Sequence, residues 1–181
     1  MGHNVTIDLT PLHIAILTVS DTRTESNDTS GNSLSENLTA AGHQLHDKKI
    51  VVDDIYHIRA QVSAWIADDI TQVILITGGT GFTGRDSTPE AILPILDKTV
   101  DGFGELFRQI SYTQIGTSTI QSRAIAGLAN NTLIFCMPGS TNACETAWNE
   151  IICKQLDSRQ GPCNFVPHLK GIDVNTCKSR Q

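Results

Sequence analysis

Apolar positions along this chain follow two alternating rhythms. Short continuous runs of aliphatic residues give way to stretches in which apolar residues recur every three or four positions. The run "LHIAILTVSD", residues 12–21, predicts a buried strand ending in polar residues. The polar "TRTESNDTSGN" reads as a loop, and "SLSENLTAAG" as a helix closed by Gly42. "HQLHDKKIVVDD" gives a second strand ending at Asp53 and Asp54. Ile55, Ile58, Val62, Trp65 and Ile66 then lie on one helical stripe, which predicts a helix over about 54–69. "QVILIT" is short and fully apolar, as strands inside parallel sheets are.

A glycine-rich loop follows, and then a helix opening at Thr88, Pro89 and Glu90. Proline fits the first helical position because its missing amide costs nothing there, and Ser87 with Glu90 matches a capping box. "GFGELFRQISY" reads as another helix, "TLIFCMP" as a strand and "PGS" as a turn. Cys144, Ala147, Trp148, Ile151, Ile152 and Leu156 form a last helical stripe. Residues 161–181 have no clear period and are expected to wrap the surface, while residues 1–11 are expected to be a flexible N-terminus.

Strands alternating with helices imply right-handed crossovers and a mainly parallel sheet between helix layers. Ligands of such sheets bind beyond the carboxyl ends of the strands. Those ends carry "TVSD", "VVDD", "ITGGTG" and "MPGS", so four polar segments should meet along one edge. A length of 181 residues suits one domain spanning 1–181.

Composition narrows the partners. The 13 basic and 19 acidic residues leave a net charge of −6 with no basic cluster, which argues against nucleic acid. No apolar run is long enough to span a membrane, and the N-terminus lacks the basic-then-apolar pattern of a secretory signal. Five cysteines without a CxxC pair suit reduced thiols in a cytoplasmic protein rather than a zinc site or a disulfide framework. The six histidines show no metal spacing.

The chemistry sits at the strand ends. Gly78, Gly79 and Gly81 permit positive φ and close backbone approach, and successive amides in such a turn can bind an anion. Thr77 and Thr80 add hydroxyls. A tight strand-to-helix turn without a ligand fits the same glycines. No Lys-Ser/Thr completes a Walker A loop, and the order GGTG after the third strand is not a dinucleotide fingerprint. Asp86 ends the loop before a helix, where it could complement the helix dipole. One of Asp53 and Asp54 should cap the next helix, leaving the other to face the crevice. Two carboxylates beside a phosphate-binding turn are what Mg²⁺ needs when it shares its shell with phosphate and water. Ser140 falls at a helix start, as a second anion site or an ordinary cap. Ser122 and Arg123 are candidates for a further phosphate contact.

Taken in order, "ILTVSD", "TSG", "LITGGTGFTGRDSTPEA", "GFGELFRQIS", "GTSTIQSRAIAG" and "LIFCMPGST" resemble the MoaB/MogA family of molybdenum cofactor biosynthesis proteins. The likeness covers roughly residues 12–170, and "PCNFVPHLK" is similar to the MoaB branch. The resemblance implies a three-layer α/β/α fold whose mostly parallel, mixed sheet has one antiparallel strand, for which "RAIAGLA" is the candidate. It implies a homo-oligomer, trimer or hexamer, and adenylylation of molybdopterin by Mg-ATP with release of pyrophosphate. Non-catalytic molybdopterin binding or a scaffold role in the same pathway is the alternative. Carried over by motif, Asp53 and Asp86 are the catalytic and Mg²⁺-binding acids. Likewise Gly78, Gly79, Thr80 and Gly81 cradle phosphate, and Ser20 and Ser140 line the crevice for pterin and nucleotide; Thr77, Ser122, Pro138 and Gly139 complete the candidate substrate-binding residues.

Overall fold

The computed structural model describes residues 8–172. Six strands form one sheet: β1 (His13–Val19), β2 (Gln44–Val51), β3 (Val73–Thr77), β4 (Lys98–Thr99), β5 (Ile125–Ala129) and β6 (Thr132–Met137). Their order is β2-β1-β3-β6-β5-β4. The pairs β2–β1, β1–β3 and β3–β6 are parallel, while β5 runs antiparallel to both β6 and β4. The one antiparallel strand that the resemblance implied is thus β5, within the candidate segment "RAIAGLA".

The helices are α1 (Thr29–Ala40), α2 (Ile55–Ala67), α3 (Thr88–Ile92), α4 (Asp101–Ile115), α5 (Thr141–Ala147) and α6 (Cys153–Gln155). The last two are joined by a π-helical segment, Trp148–Ile152. The two-residue period of a strand sends alternate side chains to opposite faces. Ile14 and Ile16 therefore join Val73, Leu75, Leu133 and Phe135 in one core with α1, α4 and α5. Ala15, Leu17 and Val19 join Ile74, Ile76, Ile134 and Cys136 in a second core with α2 and α3. The result is a helix layer on each face of a sheet whose central strands are buried throughout.

Two expectations are corrected and two gain detail. Helix α1 begins at Thr29, inside the stretch read as a loop. Buried Asp28 caps it, accepting from the Gly31 amide at 3.0 Å and from the Thr18 hydroxyl at 3.0 Å. A Cβ at residue 31 would lie 2.2 Å from that carboxylate, which explains a glycine inside a helix. Ser87 does not form a capping box. It precedes α3, but its hydroxyl donates to Asp53 instead, at 2.6 Å, and Glu90 pairs with Arg123. The segment after Gly161 does more than wrap the surface, because Val166 and Leu169 are buried in the first core. Within the N-terminal stretch, residues 8 and 10 are tied to Ser158, whose hydroxyl donates to the Asp8 carbonyl and accepts from the Thr10 amide. The remainder of the two terminal expectations lies outside the described residues. Among the described residues, no helix is long and apolar enough to cross a membrane.

Candidate functional site

Strand order reverses between β1 and β3, and the crevice lies at that point, beyond the strands' carboxyl ends. Its volume is about 620 Å³, within the range of small-molecule sites. The ends of β1 (Ser20, Asp21), β2 (Asp53), β3 (Gly78, Gly79, Thr80, Gly81) and β6 (Pro138, Gly139) all line it, with Asp86 and Ser122.

The glycines are required by geometry. Gly78 has φ +101°, and a Cβ there would sit 2.2 Å from the Val19 carbonyl oxygen. Gly79 has φ +63°, and its Cβ would meet the Thr88 hydroxyl at 2.4 Å and Asp53 Oδ2 at 2.8 Å. The chain must therefore pass flat against the end of β1 before turning toward α3.

Carbonyls in this loop face the protein. Gly78 O accepts from the Thr88 hydroxyl (2.9 Å) and Gly79 O from the Thr88 amide (2.9 Å). Thr80 O accepts from the Arg123 amide (3.1 Å) and Gly81 O from Arg123 Nε (2.7 Å). In a trans peptide the N–H points opposite to the preceding C=O. The amides of Gly79 and Thr80 are thereby turned away from Thr88, and both residues line the crevice. The Gly81 amide supports the Asp86 carboxylate.

The acids take distinct positions. Asp54 is the cap of α2: its Oδ1 accepts from the Tyr56 and His57 amides at 2.9 and 3.0 Å. Asp53 faces the crevice, and its Oδ1 accepts from the Ser87 amide (3.0 Å) and hydroxyl (2.6 Å). Asp86 Oδ2 accepts from the Thr83 amide (2.8 Å) and hydroxyl (2.6 Å). Partial burial would raise the Asp86 pKa. Hydrogen bonds from Thr83 and Gly81, with the charge of Arg123, outweigh it and hold the carboxyl below the usual range. Asp53 and Asp86 can each offer hard oxygen to a cation. Among the described residues, however, no three His, Cys, Asp or Glu side chains are grouped to hold a metal.

Other positions depart from expectation. Thr77 is fully buried and its hydroxyl donates to the Pro138 carbonyl at 3.1 Å, so it joins β3 to β6 instead of facing a ligand. Ser140 is a helix cap, its hydroxyl accepting from the Ala143 amide at 3.2 Å, and it does not line the crevice. The Ser20 hydroxyl accepts from the amides of Thr22 (3.2 Å) and Arg23 (3.1 Å), shaping the turn after β1. Ser122 does reach the crevice, and its buried Oγ has no hydrogen-bond partner. Such an orphan is what a bound ligand would satisfy.

Arg123, read as a phosphate contact, is otherwise engaged. Besides holding Thr80 and Gly81, it donates from Nη2 to the Asp86 carbonyl (2.9 Å), pairs with Glu90 and lies over the Phe82 ring at 5.6 Å. It is a clamp on the glycine loop. Sequence reading assigned no role to Asp21 or Arg85. Asp21 Oδ1 accepts from the Asp53 amide at 3.1 Å, and its Oδ2 accepts from Arg85 Nε at 3.1 Å and Nη2 at 2.5 Å. The Asp53 amide and then the Arg85 guanidinium lower the Asp21 pKa. The place of "TVSD" at a strand end was the available signal for Asp21.

Residues 15–158 match the family model for a probable molybdopterin binding domain. The chain is 61% identical over 166 residues to molybdenum cofactor biosynthesis protein B of Escherichia coli K12, covering 92% of this chain and 98% of that protein. A crystal structure of a molybdenum cofactor biosynthesis protein B superposes with a TM-score of 0.79 at 45% identity, over 81% of this chain and 92% of that one. The tungsten cofactor synthesizing protein MoaB of Pyrococcus furiosus gives a TM-score of 0.73 at 35% identity, over 80% and 92%. The chain belongs to the MoaB/MogA family of molybdenum cofactor biosynthesis proteins.

Proposed function

We propose that this protein binds molybdopterin in the crevice and adenylylates it with Mg-ATP. The terminal phosphate of molybdopterin would attack the α-phosphate of ATP, and pyrophosphate would leave. The observation that carries this reading is the end of β3. There the Gly79 and Thr80 amides, the Asp53 and Asp86 carboxylates and the unpartnered Ser122 hydroxyl share one crevice. Amides suit a phosphate, and an unpaired buried hydroxyl suits a polar ligand.

The donors fit magnesium in kind. Asp53 takes both Ser87 hydrogen bonds on Oδ1, which leaves Oδ2 for a cation. The Thr83 bonds to Asp86 likewise fall on Oδ2 alone. Mg²⁺ held by these two residues would offset charge on the reacting phosphates. Ser87 and Thr83 hold the two carboxylates in place, Arg123 fixes the loop between them, and the glycine turn orients the phosphate. Few groups need to move for the reaction to proceed, so catalysis would rest on positioning and charge.

The proposal includes cytoplasmic action and a homo-oligomer, trimer or hexamer, following the family resemblance. The second reading is a molybdopterin-binding or scaffold protein of the same pathway that uses the crevice without catalysis. Incubation with molybdopterin, ATP and magnesium, followed by mass spectrometry of the bound pterin, separates the two. Adenylyl-molybdopterin supports the first; unmodified molybdopterin bound to the protein supports the second.

A further inference from the structure

The crevice presents an electrostatic problem for a phosphorylated ligand. Asp21, Asp53 and Asp86 line it and, among the described residues, no lysine or arginine does. Carboxylates within a few ångströms of a phosphate repel it strongly wherever water is partly excluded. Two arginines approach the rim. Arg123 is committed to the Thr80, Gly81 and Asp86 backbone and to Glu90. Arg85 is committed to a single atom: both its Nε and Nη2 donate to Asp21 Oδ2, and its side chain is 70% exposed.

We propose that Arg85 is the cation that binds ligand phosphate in this crevice, held on Asp21 in the free protein and passed to the phosphate on binding. The inference rests on the reading of the crevice as a phosphorylated-ligand site. Three features support the exchange. An exposed ion pair of this kind adds little stability, so it opens at small cost. Asp21 is held independently by its other oxygen, which accepts from the Asp53 amide at 3.1 Å, so releasing Arg85 leaves the wall of the crevice standing. A guanidinium meets phosphate through parallel hydrogen bonds, a better match than two donors crowded onto one carboxylate oxygen. Because Arg85 directly precedes Asp86, its movement would also bring positive charge beside that acid.

The test is a double-mutant cycle on the full chain, read as affinity for inorganic pyrophosphate and for molybdopterin, with a chelator present to remove divalent metal. Arg85→Gln is expected to weaken at least one probe by about tenfold, as loss of a charge-assisted contact would. Asp21→Asn keeps an acceptor for the Asp53 amide but releases Arg85, and should tighten that probe by about threefold or more. In the Arg85→Gln background the same Asp21 change should relieve only through-space repulsion, and so tighten binding by clearly less than it does beside Arg85. Equal tightening in both backgrounds would mean that Asp21 only repels the ligand through space, and would overturn the exchange. Unchanged binding of both probes by Arg85→Gln would overturn it too, while leaving the crevice reading intact. Failure of wild type to bind either probe would remove the crevice reading and this inference together. Thermal midpoints of the variants within a few degrees of wild type would confirm that folding is not what changed.

Discussion

Replacing Gly79 with alanine probes whether the glycine turn, Asp53 and α3 form one packed unit. The backbone there has φ +63°, which an alanine tolerates at a cost of about 1 kcal/mol. The added methyl would lie 2.4 Å from the Thr88 hydroxyl and 2.8 Å from Asp53 Oδ2, so both must move. Overpacking of this sort costs about 1–3 kcal/mol. Displacing Thr88 also breaks its buried 2.9 Å bond to the Gly78 carbonyl, at about 1 kcal/mol. The lower entropy of the unfolded alanine chain returns about 0.5–1 kcal/mol. The net loss is about 2–4 kcal/mol, a fall of roughly 5–15 °C in thermal midpoint for a domain of this size. Gly84→Ala is the control, since a Cβ there meets nothing within 4 Å and should stay within about 0.5 kcal/mol of wild type. Both are read by calorimetry at equal protein concentration. A Gly79→Ala midpoint indistinguishable from the control would refute the packing of the turn against Asp53 and Thr88.

Ser87→Ala removes one hydrogen bond to Asp53 Oδ1 without removing a helix cap, so a small stability loss of about 1 kcal/mol is expected with a larger loss of turnover; equal turnover in wild type and variant would contradict it. Asp28→Ala removes the α1 cap, leaves the Thr18 hydroxyl without its acceptor and strips Lys48 of an ion-pair partner at 3.2 Å. A loss of about 3 kcal/mol is expected in denaturant titration, and under about 1 kcal/mol would show that the buried carboxylate is not structural. His43 is buried and its Nδ1 accepts from the Leu12 amide at 3.3 Å, so the folded state holds it neutral, and burial lowers its pKa from 6.5. The unfolded chain then binds the proton more readily. Stability should fall as pH drops below about 6.5 and level off once the lowered folded pKa is passed. His43→Gln should flatten that segment of the pH–stability curve, and an unchanged slope would assign it to other groups.

The sheet was largely legible because its signals are local. Continuous apolar runs marked β1, β3 and β6, and the spacing of Ile58, Val62 and Trp65 marked the buried face of α2. Glycine and polar residues at four strand ends located the crevice. The spacing narrowed the Asp53–Asp54 pair to one cap and one crevice residue, the family resemblance pointed to Asp53 for the crevice, and the fold places Asp54 as the cap and Asp53 in the crevice. What escaped reading depends on residues far apart in the chain. Arg123 grips a loop some forty positions earlier, and Ser87 serves Asp53 rather than its own helix. Neither pairing leaves a periodic trace. Helix α1 was started too late because its first turn, "TSGN", has turn-forming composition, and the buried Asp28 that stabilises it forms its key contacts with Thr18 and Lys48. Val166 and Leu169 were missed because two isolated apolar residues in a Pro- and Cys-containing tail have no period to detect.

Pyrophosphate release from ATP, measured with purified molybdopterin and magnesium for wild type beside Asp86→Ala, tests the proposed chemistry most directly. Wild type should release pyrophosphate only when all three components are present. Asp86→Ala should fold and bind the pterin but release it at least about a hundredfold more slowly, the scale of losing one main electrostatic element of a transition state. Wild type and variant both binding molybdopterin and both failing to release pyrophosphate would contradict the catalytic reading and leave a binding protein.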